Sequence, residues 1–446
     1  MKIARFLPRF REAYRSFGEL EKRESWSRAQ ISDFQLQRLN EVWAHAIDHV
    51  PYYRSLQAEL ALPKRFESLE EYTGSVPVLQ KSFLRENSQD FLSEKPQPGR
   101  WHRTSGSTRS PLEVFRAHDA HHEMLRTNYR YYRMWGHDIF DRMVFLWNLT
   151  PTNTPGIAPK VRRCREVAED KLRNRLRLPA QTLGAKDLQG YLDKIAAFKP
   201  SAIYAYSRAA YLLALEAKKQ GFQCPSLKVI NITSEPASEH VVRTVEEGLG
   251  APCIVQYGCV ELGFIAGHWP DRTMRVREDL VLLETLVRPD AHFDIVLTNL
   301  NNSSFPLLRY DIGDVTDQPV EVSESGFSIL KNISGRCGDL LYTPAGRCLH
   351  PTVVDELFEE NYFKYVRRFQ IRQRTDYSIL ALIELNDPAN VPDSQELARH
   401  LSVQVDGCPV EVEIVAKIEQ TAAGKHRSVI SEIAATPPVA SPQHSD

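Results

Sequence analysis

The chain has 446 residues, 42% hydrophobic and 25% charged, and its 56 Lys+Arg against 57 Asp+Glu leave a formal net charge of -1. At roughly 100–200 residues per domain this length predicts two to four globular domains; the apolar share argues against disorder, and the balanced charge against a bulk nucleic-acid binder. No apolar run reaches the ~18 residues of a membrane-spanning helix, arginines interrupt residues 1–20 where a secretory signal would be apolar, and seven cysteines without a Cys-x-x-Cys pair fit a reducing cytoplasm rather than a disulfide framework or a zinc motif.

In chain order, Ile3, Phe6, Phe10, Tyr14 and Phe17 alternate with arginines, a stretch read as docking on its own domain rather than on a membrane surface. Leu36, Leu39, Trp43, Ala46 and Ile47 recur at helical spacing, and Pro51 is expected to end that helix. Mixed helical and loop sequence follows to residue 95. His118, His121 and His122 with Glu123 have the i, i+4 spacing of a metal face, but a solvated or packing helix accounts for them. The basic run Lys160, Arg162, Arg163, Arg165, Lys171, Arg173, Arg175 and Arg177, interleaved with Leu172, Leu176 and Leu178, is read as a solvated helix face, with an anionic partner as the alternative.

Between residues 187 and 257 the pattern alternates. Leu188, Leu192 and Ile195 mark a helix, 202–206 a strand, 209–219 a helix, 227–232 a strand, 241–249 a helix and 253–256 a strand. Such alternation predicts a parallel α/β sheet, whose strands need crossover helices. After Asp279 strands dominate: 280–287 and 293–300, separated by a Pro-Asp turn, suggest antiparallel pairing in a smaller β subdomain. From residue 340 a β-α-β unit is expected, with strands at 377–385 and 409–415 around a helix near 397–401, followed by a Pro-, Ser- and Ala-rich disordered tail. There is no internal repeat.

One segment carries the first chemical signal. Thr104-Ser105-Gly106-Ser107-Thr108 is a run of hydroxyls around a glycine, able to wrap N–H and O–H groups around phosphate oxygens. It lacks the Gly-Lys-Ser/Thr of the Walker type, and alone it reads better as a plain surface loop. Its company changes the weight. Glu235-Pro236 follows one predicted strand, and Tyr257-Gly258 with Glu261 follows the next. Asp314 follows the β subdomain, Arg336 and Asp339 precede the last unit, and Lys425 lies near the end. In an open α/β sheet ligands gather at the carboxyl ends of the strands. Together these residues offer hydroxyls for phosphate, an aromatic for a base, carboxylates for a metal and a ribose, and cations.

This ordered set resembles the adenylate-forming superfamily of acyl-CoA synthetases, in the branch of phenylacetate–CoA ligase and capsule-biosynthesis relatives. The resemblance spans nearly the whole chain and includes His49-Val50-Pro51-Tyr52-Tyr53-Arg54, Val76-Pro77-Val78-Leu79-Gln80-Lys81 and, near the family's acyl pocket, residues 204–213. It implies that Thr104, Ser105, Gly106, Ser107 and Thr108 hold the β- and γ-phosphates. Glu235 and Pro236 would line the adenine, Tyr257 and Gly258 would sit by the base, and Glu261 would ligate Mg²⁺. Asp314 would hold the ribose and Arg336 the ribose–phosphate region, with Asp339 as hinge. Lys425 would bridge carboxylate and α-phosphate. Attack of a carboxylate on phosphorus brings two anions together, so placed cations matter more than a base. A lysine on a mobile domain supplies one and then withdraws.

Three departures stand out. Arg109 and Ser234 occupy positions where the family usually has glycine, and Val260 replaces the hydroxyl before the magnesium glutamate. Some relatives hold zinc beyond that glutamate, but the matching stretch around His268 lacks the Cys/His pair, so no zinc is expected.

The expected fold is α/β: a large N-terminal domain (1–335) with a parallel α/β sheet and a β subdomain, a hinge at 336–339, a small mobile C-terminal α+β domain (340–434) and a tail (435–446). The expected activity is ATP- and Mg²⁺-dependent conversion of an aromatic or small organic acid to an acyl-adenylate in the cytoplasm, and transfer to a thiol, CoA first. Transfer to an amine, hydroxyl or carrier protein, and a nucleotide-binding protein with degraded chemistry, are the alternatives.

Overall fold

A computed structural model describes residues 17–103, 112–147, 168–171, 173–180, 185–235, 237–289, 292–336, 341–345, 348–349, 354, 357–362, 365–418 and 428–433. The chain divides into two compact units, one of residues 1–284, 296–310 and 320–330 and the other of 285–295, 311–319 and 331–446.

After helical turns at 17–25, the first unit contains α1 (Arg28–His49), α2 (Pro51–Glu59), α3 (Leu69–Ser75) and α4 (Lys81–Glu86). The α1 helix begins well before the apolar repeat at Leu36, because Ser27 and Gln30 form a reciprocal capping box: Ser27 Oγ accepts from Gln30 N–H, and Gln30 Oε1 accepts from Ser27 N–H at 3.0 Å. Pro51 both ends α1 and starts α2, where its missing N–H costs no helical bond. The buried stripe of α1 includes Ile31, Leu39, Val42, Trp43 and Ala46.

Then come β1 (Gly99–Arg103), β2 (Glu113–Ala117), α5 (His118–Met134), β3 (Met143–Trp147), β4 (Arg175–Pro179), α6 (Ala185–Phe198), β5 (Ala202–Tyr206), α7 (Ser207–Gln220), β6 (Val229–Thr233), α8 (Glu239–Leu249), β7 (Cys253–Cys259), β8 (Gly263–His268) and β9 (Met274–Val276). One seven-stranded sheet has the order β4-β3-β5-β6-β7-β8-β9. From β4 to β7 every pairing is parallel, and β8 and β9 extend the sheet antiparallel. The helices α6, α7 and α8 are the crossovers that parallel pairing requires. All five residues of β6 are buried, as expected for a strand covered on both faces. The amide NH2 of buried Asn231 there donates to Tyr132 Oη at 2.8 Å and Gln256 Oε1 at 2.7 Å, while its Oδ1 has no hydrogen-bond partner.

The basic run is corrected at its end. Arg175 and Arg177 lie on the edge strand β4, not on a helix face. Arg175-Leu176-Arg177-Leu178 alternates with period two, the strand signature, and Leu178 is buried while Arg177 pairs with Asp170 at 3.0 Å. The members from Lys160 to Arg165 fall outside the described residues.

Four further strands, β10 (Val281–Val287), β11 (Phe293–Asn299), β12 (Tyr310–Thr316) and β13 (Ile333–Arg336), form a sheet in that order. After the short pair β14 (Leu341–Tyr342) and β15 (Cys348–Leu349), the second unit contains β16 (Val366–Gln373), β17 (Ile379–Leu385), α9 (Ser394–Gln404), β18 (Val410–Val415) and β19 (Val429–Ser431), ordered β18-β17-β16-β19. Here β17 and β18 run parallel around α9, the expected β-α-β, and α9 packs Leu397 and Leu401 into the core beside Ile371, Ala381 and Ile383. No helix among the described residues is long and apolar enough to cross a membrane.

Candidate functional site

The carboxyl ends of the parallel strands gather several of the sequence-derived residues. Thr233 closes β6, with its hydroxyl donating to the Gln256 carbonyl at 2.6 Å. Ser234 follows at φ +73°, a left-handed conformation, which accounts physically for the glycine expected there. Glu235 accepts from the Arg208 N–H at 2.9 Å through its carboxylate, and from Ser207 Oγ at 3.1 Å through its carbonyl. Its carboxylate therefore sits on the N-terminal turn of α7, where exposed N–H groups and the helix dipole favour negative charge. Trp147, ending β3, stacks on Tyr206, ending β5, at 3.9 Å and 15°, and on Tyr204 at 5.2 Å.

Tyr257 and Gly258 lie in β7, where the β7–β8 hairpin shifts register. A Cβ on Gly258 would stand 2.2 Å from the Gly263 carbonyl oxygen, so only glycine permits this close approach. The hairpin turn then presents Glu261.

Glu261 is 5% exposed. Lys81 Nζ lies 3.0 Å from its Oε1, and the Tyr310 hydroxyl donates to the same oxygen at 3.1 Å. Burial alone would raise its pKa, but the Lys81 ammonium and the hydrogen bonds from Lys81 and Tyr310 outweigh that and hold the carboxyl below its ordinary range. Both partners arrive by one fastening. Leu79 N–H donates to the Arg309 carbonyl at 2.8 Å, Leu79 bridges Tyr310, and Arg309 donates to the Val76 carbonyl at 2.5 Å. Arg309 is itself held by Glu284 at 2.8 and 3.1 Å. The segment 76–81, noticed in the sequence only as a signature, thus delivers Lys81 to a glutamate far along the chain. Its one sequence signal was a lysine opening a helix just after Val-Pro-Val.

A second cation stands at the same turn. Arg116, on β2, donates from Nη2 to the Val260 carbonyl at 2.5 Å. Its strand pairs antiparallel with β1, and these two strands flank residues 104–111, which contain the hydroxyl run. Nearby imidazoles are disfavoured as cations: His121 is pushed down to about 4 by burial and then by the charge of Arg116, and His102 is lowered for the same two reasons.

In the second unit Asp314 and Arg336 occupy facing positions of the antiparallel pair β12–β13. Thr104, Ser105, Gly106, Ser107, Thr108, Pro236, Asp339 and Lys425 lie outside the described residues, as does Arg109.

A magnesium ion takes one or two carboxylates and completes its shell with water and substrate phosphates. Glu261 offers one buried carboxylate, the kind of single donor such an ion takes.

No protein-family model matches the chain. It is 26% identical over 364 residues to a phenylacetate–coenzyme A ligase of Thermus thermophilus, covering 74% of this chain and 76% of that one. It is 25% identical to a phenylacetate–coenzyme A ligase of Aromatoleum evansii, covering 93% and 97%. Its fold matches a crystal structure of 2-hydroxyisobutyryl-CoA ligase in the postadenylation state with 2-HIB-AMP, at a TM-score of 0.72 and 20% identity over 92% of each chain. The fold is that of adenylate-forming ligases, and the sequence relatives support the phenylacetate–CoA ligase branch.

Proposed function

We propose that the chain is an ATP-dependent acid–thiol ligase, which converts a carboxylic acid to its acyl-adenylate and passes the acyl group to CoA. The observation that carries this reading is the buried Glu261 carboxylate, clamped by Lys81 and Tyr310 at the rim of a parallel sheet whose sequence relatives are CoA ligases.

In the first half-reaction a carboxylate oxygen attacks the α-phosphorus of ATP and pyrophosphate leaves. In the second a thiol sulfur attacks the acyl carbonyl and AMP leaves. Neither step needs a strong base; both need anions brought together and charge neutralised. Glu261 would hold Mg²⁺, which supplies charge neutralisation on the phosphates when bound. The hydroxyls of Thr104, Ser105, Ser107 and Thr108 would cradle the β- and γ-phosphates, and Lys425 would meet the carboxylate and α-phosphate together. Glu235, Pro236 and Tyr257 would frame the adenine, and Asp314 and Arg336 the ribose. We place the working boundary between a large domain and a small mobile one at 336–339, with Asp339 as hinge, and the enzyme in the cytoplasm.

The acid is an aromatic or small organic one. The relatives named for phenylacetate and the structural neighbour named for 2-hydroxyisobutyrate bracket that class, and the Trp147–Tyr206 stack offers a flat aromatic surface at the strand ends.

The test is thioester formation, followed by chromatography, from ATP, CoA and a panel of aryl and short hydroxy acids. AMP, pyrophosphate and acyl-CoA should appear in equal amounts. Adenylation without thioester would redirect the second step to a carrier protein, amine or hydroxyl. ATP binding with no turnover of any acid would leave a nucleotide-binding protein in which Val260 and Arg109 mark degraded chemistry.

A further inference from the structure

We propose that Arg116 is a polyphosphate-binding residue, its guanidinium taking the pyrophosphate end of the nucleotide at the Glu261 turn; this rests on the ATP-dependent reading above.

The argument is one of unmatched charge. Arg130 and Arg309, both buried, each sit against a carboxylate: Arg130 against Asp279 at 2.8 Å and Arg309 against Glu284 at 2.8 Å. Arg116 has no carboxylate within ion-pair distance among the described residues. Its one described side-chain hydrogen bond goes to the Val260 carbonyl at 2.5 Å. A guanidinium carries five N–H donors in a fixed fork, so among the described residues most of its donor capacity is unspent. Glu261, which follows Val260 in the chain and whose charge acts on Arg116, is already met by Lys81 at 3.0 Å. Two cations therefore stand at one turn with one carboxylate, a positive surplus among the described residues.

The neighbours reinforce that surplus. His121, pushed down to about 4, adds no competing cation beside Arg116, and its imidazole N–H remains a donor. A planar fork aimed at a turn that would hold a metal, on a strand flanking a hydroxyl-rich connection, suits bidentate capture of phosphate oxygens. AMP has a single phosphate, engaged by other groups in this scheme, whereas pyrophosphate and the β- and γ-phosphates of ATP lie on the metal side.

The experiment titrates inorganic pyrophosphate, ATP and AMP calorimetrically into the full chain in magnesium buffer, with Arg116→Met and Arg116→Lys alongside and melting temperatures recorded without ligand. The expected result is a pyrophosphate and ATP affinity weakened about tenfold to hundredfold in Arg116→Met. AMP affinity and melting temperature should stay unchanged, and Arg116→Lys should recover part of the loss. Equal pyrophosphate affinity in Arg116→Met and the unaltered chain would overturn the proposal. So would a parallel fall for AMP together with a lower melting temperature, because that marks a residue that only holds the Val260 turn. If Arg116→Met does not fold, Arg116→Lys decides alone: full pyrophosphate affinity with the fork removed counts against bidentate capture. An unaltered chain that binds neither ATP nor pyrophosphate defeats the nucleotide reading itself, an outcome distinct from the others.

Discussion

The first unit buries charge in two places, and the surroundings differ. Around Asp279, Arg130 approaches at 2.8 Å and Arg23 at 3.6 Å, and Arg277 at 3.9 Å sits among the rings of Phe264, Trp269 and Phe327. Arg130 and Arg277 are both 0% exposed, and Arg130 also donates to the Leu20 carbonyl at 2.6 Å. This knot ties the segment before α1 to α5 and to the turn after β9. Around Glu261, by contrast, the Lys81 side chain is 28% exposed and Arg116 adds a cation with no carboxylate of its own among the described residues. The first group is sealed, and there three guanidinium groups share Asp279 while the Arg277 nitrogens have no hydrogen-bond partner; the second is open on one side. Burial of charge alone therefore does not mark a functional site. What sets the second region apart is that its charge is reachable from solvent.

Substitutions should separate the two. The largest effect is expected from Asp279→Ala, which strands two buried guanidinium groups and should cost about 3–5 kcal/mol in urea unfolding. Nucleotide affinity per folded molecule should be kept. A loss of binding without loss of stability would merge the two regions again. Next, Glu261→Gln should lower acid-dependent pyrophosphate exchange by roughly 10²–10³, the scale of losing one electrostatic group at a reacting centre, with a near-normal unfolding midpoint. A stability loss as large as that of Asp279→Ala would assign Glu261 to structure.

Third, pH should act on the sealed region. Glu24 approaches Arg130 at 3.3 Å, yet its pKa is raised to about 7, burial being the main cause and Asp279 and Glu21 adding to it against the pull of Arg130. A carboxyl raised on folding stabilises below its unfolded pKa, and that contribution is lost as pH rises through the folded value. Unfolding free energy should therefore drop by about 2–3 kcal/mol between pH 4.5 and 8 from this group, and Glu24→Gln should flatten that slope. An unchanged slope in the variant contradicts the assignment. The smallest effect is expected at Ser234, whose φ of +73° strains a side-chain-bearing residue. Ser234→Gly should raise stability by about 0.5–1 kcal/mol, the left-handed strain being partly offset by the added freedom of the unfolded chain. A destabilised Ser234→Gly would show that the serine side chain does more than fill the turn.

Much of this architecture is legible in the residues. The strand at 202–206 stands in the structure as β5, because apolar β-formers there are bounded by a Pro-Ser turn and by the helix of Ser207–Gln220. The β-α-β of the last unit was equally plain in its alternation. The hairpin β1–β2 was not: Gly-Arg-Trp-His-Arg is largely exposed and carries no two-residue apolar period. At β4 the charge of the arginines masked a strand alternation in Leu176 and Leu178. At the site, Glu261 could be found from its local pattern after a strand. Lys81, Tyr310 and Arg116 could not be joined to it, because contacts across such separations arise from packing and leave no local period.

The most direct test of the central claim is ATP–pyrophosphate exchange across a panel of aryl and short hydroxy acids, with Lys425→Ala in parallel. The account predicts label entering ATP only when a suitable acid is present, and almost none in Lys425→Ala. No exchange with any acid, by a chain that demonstrably binds ATP, would contradict it.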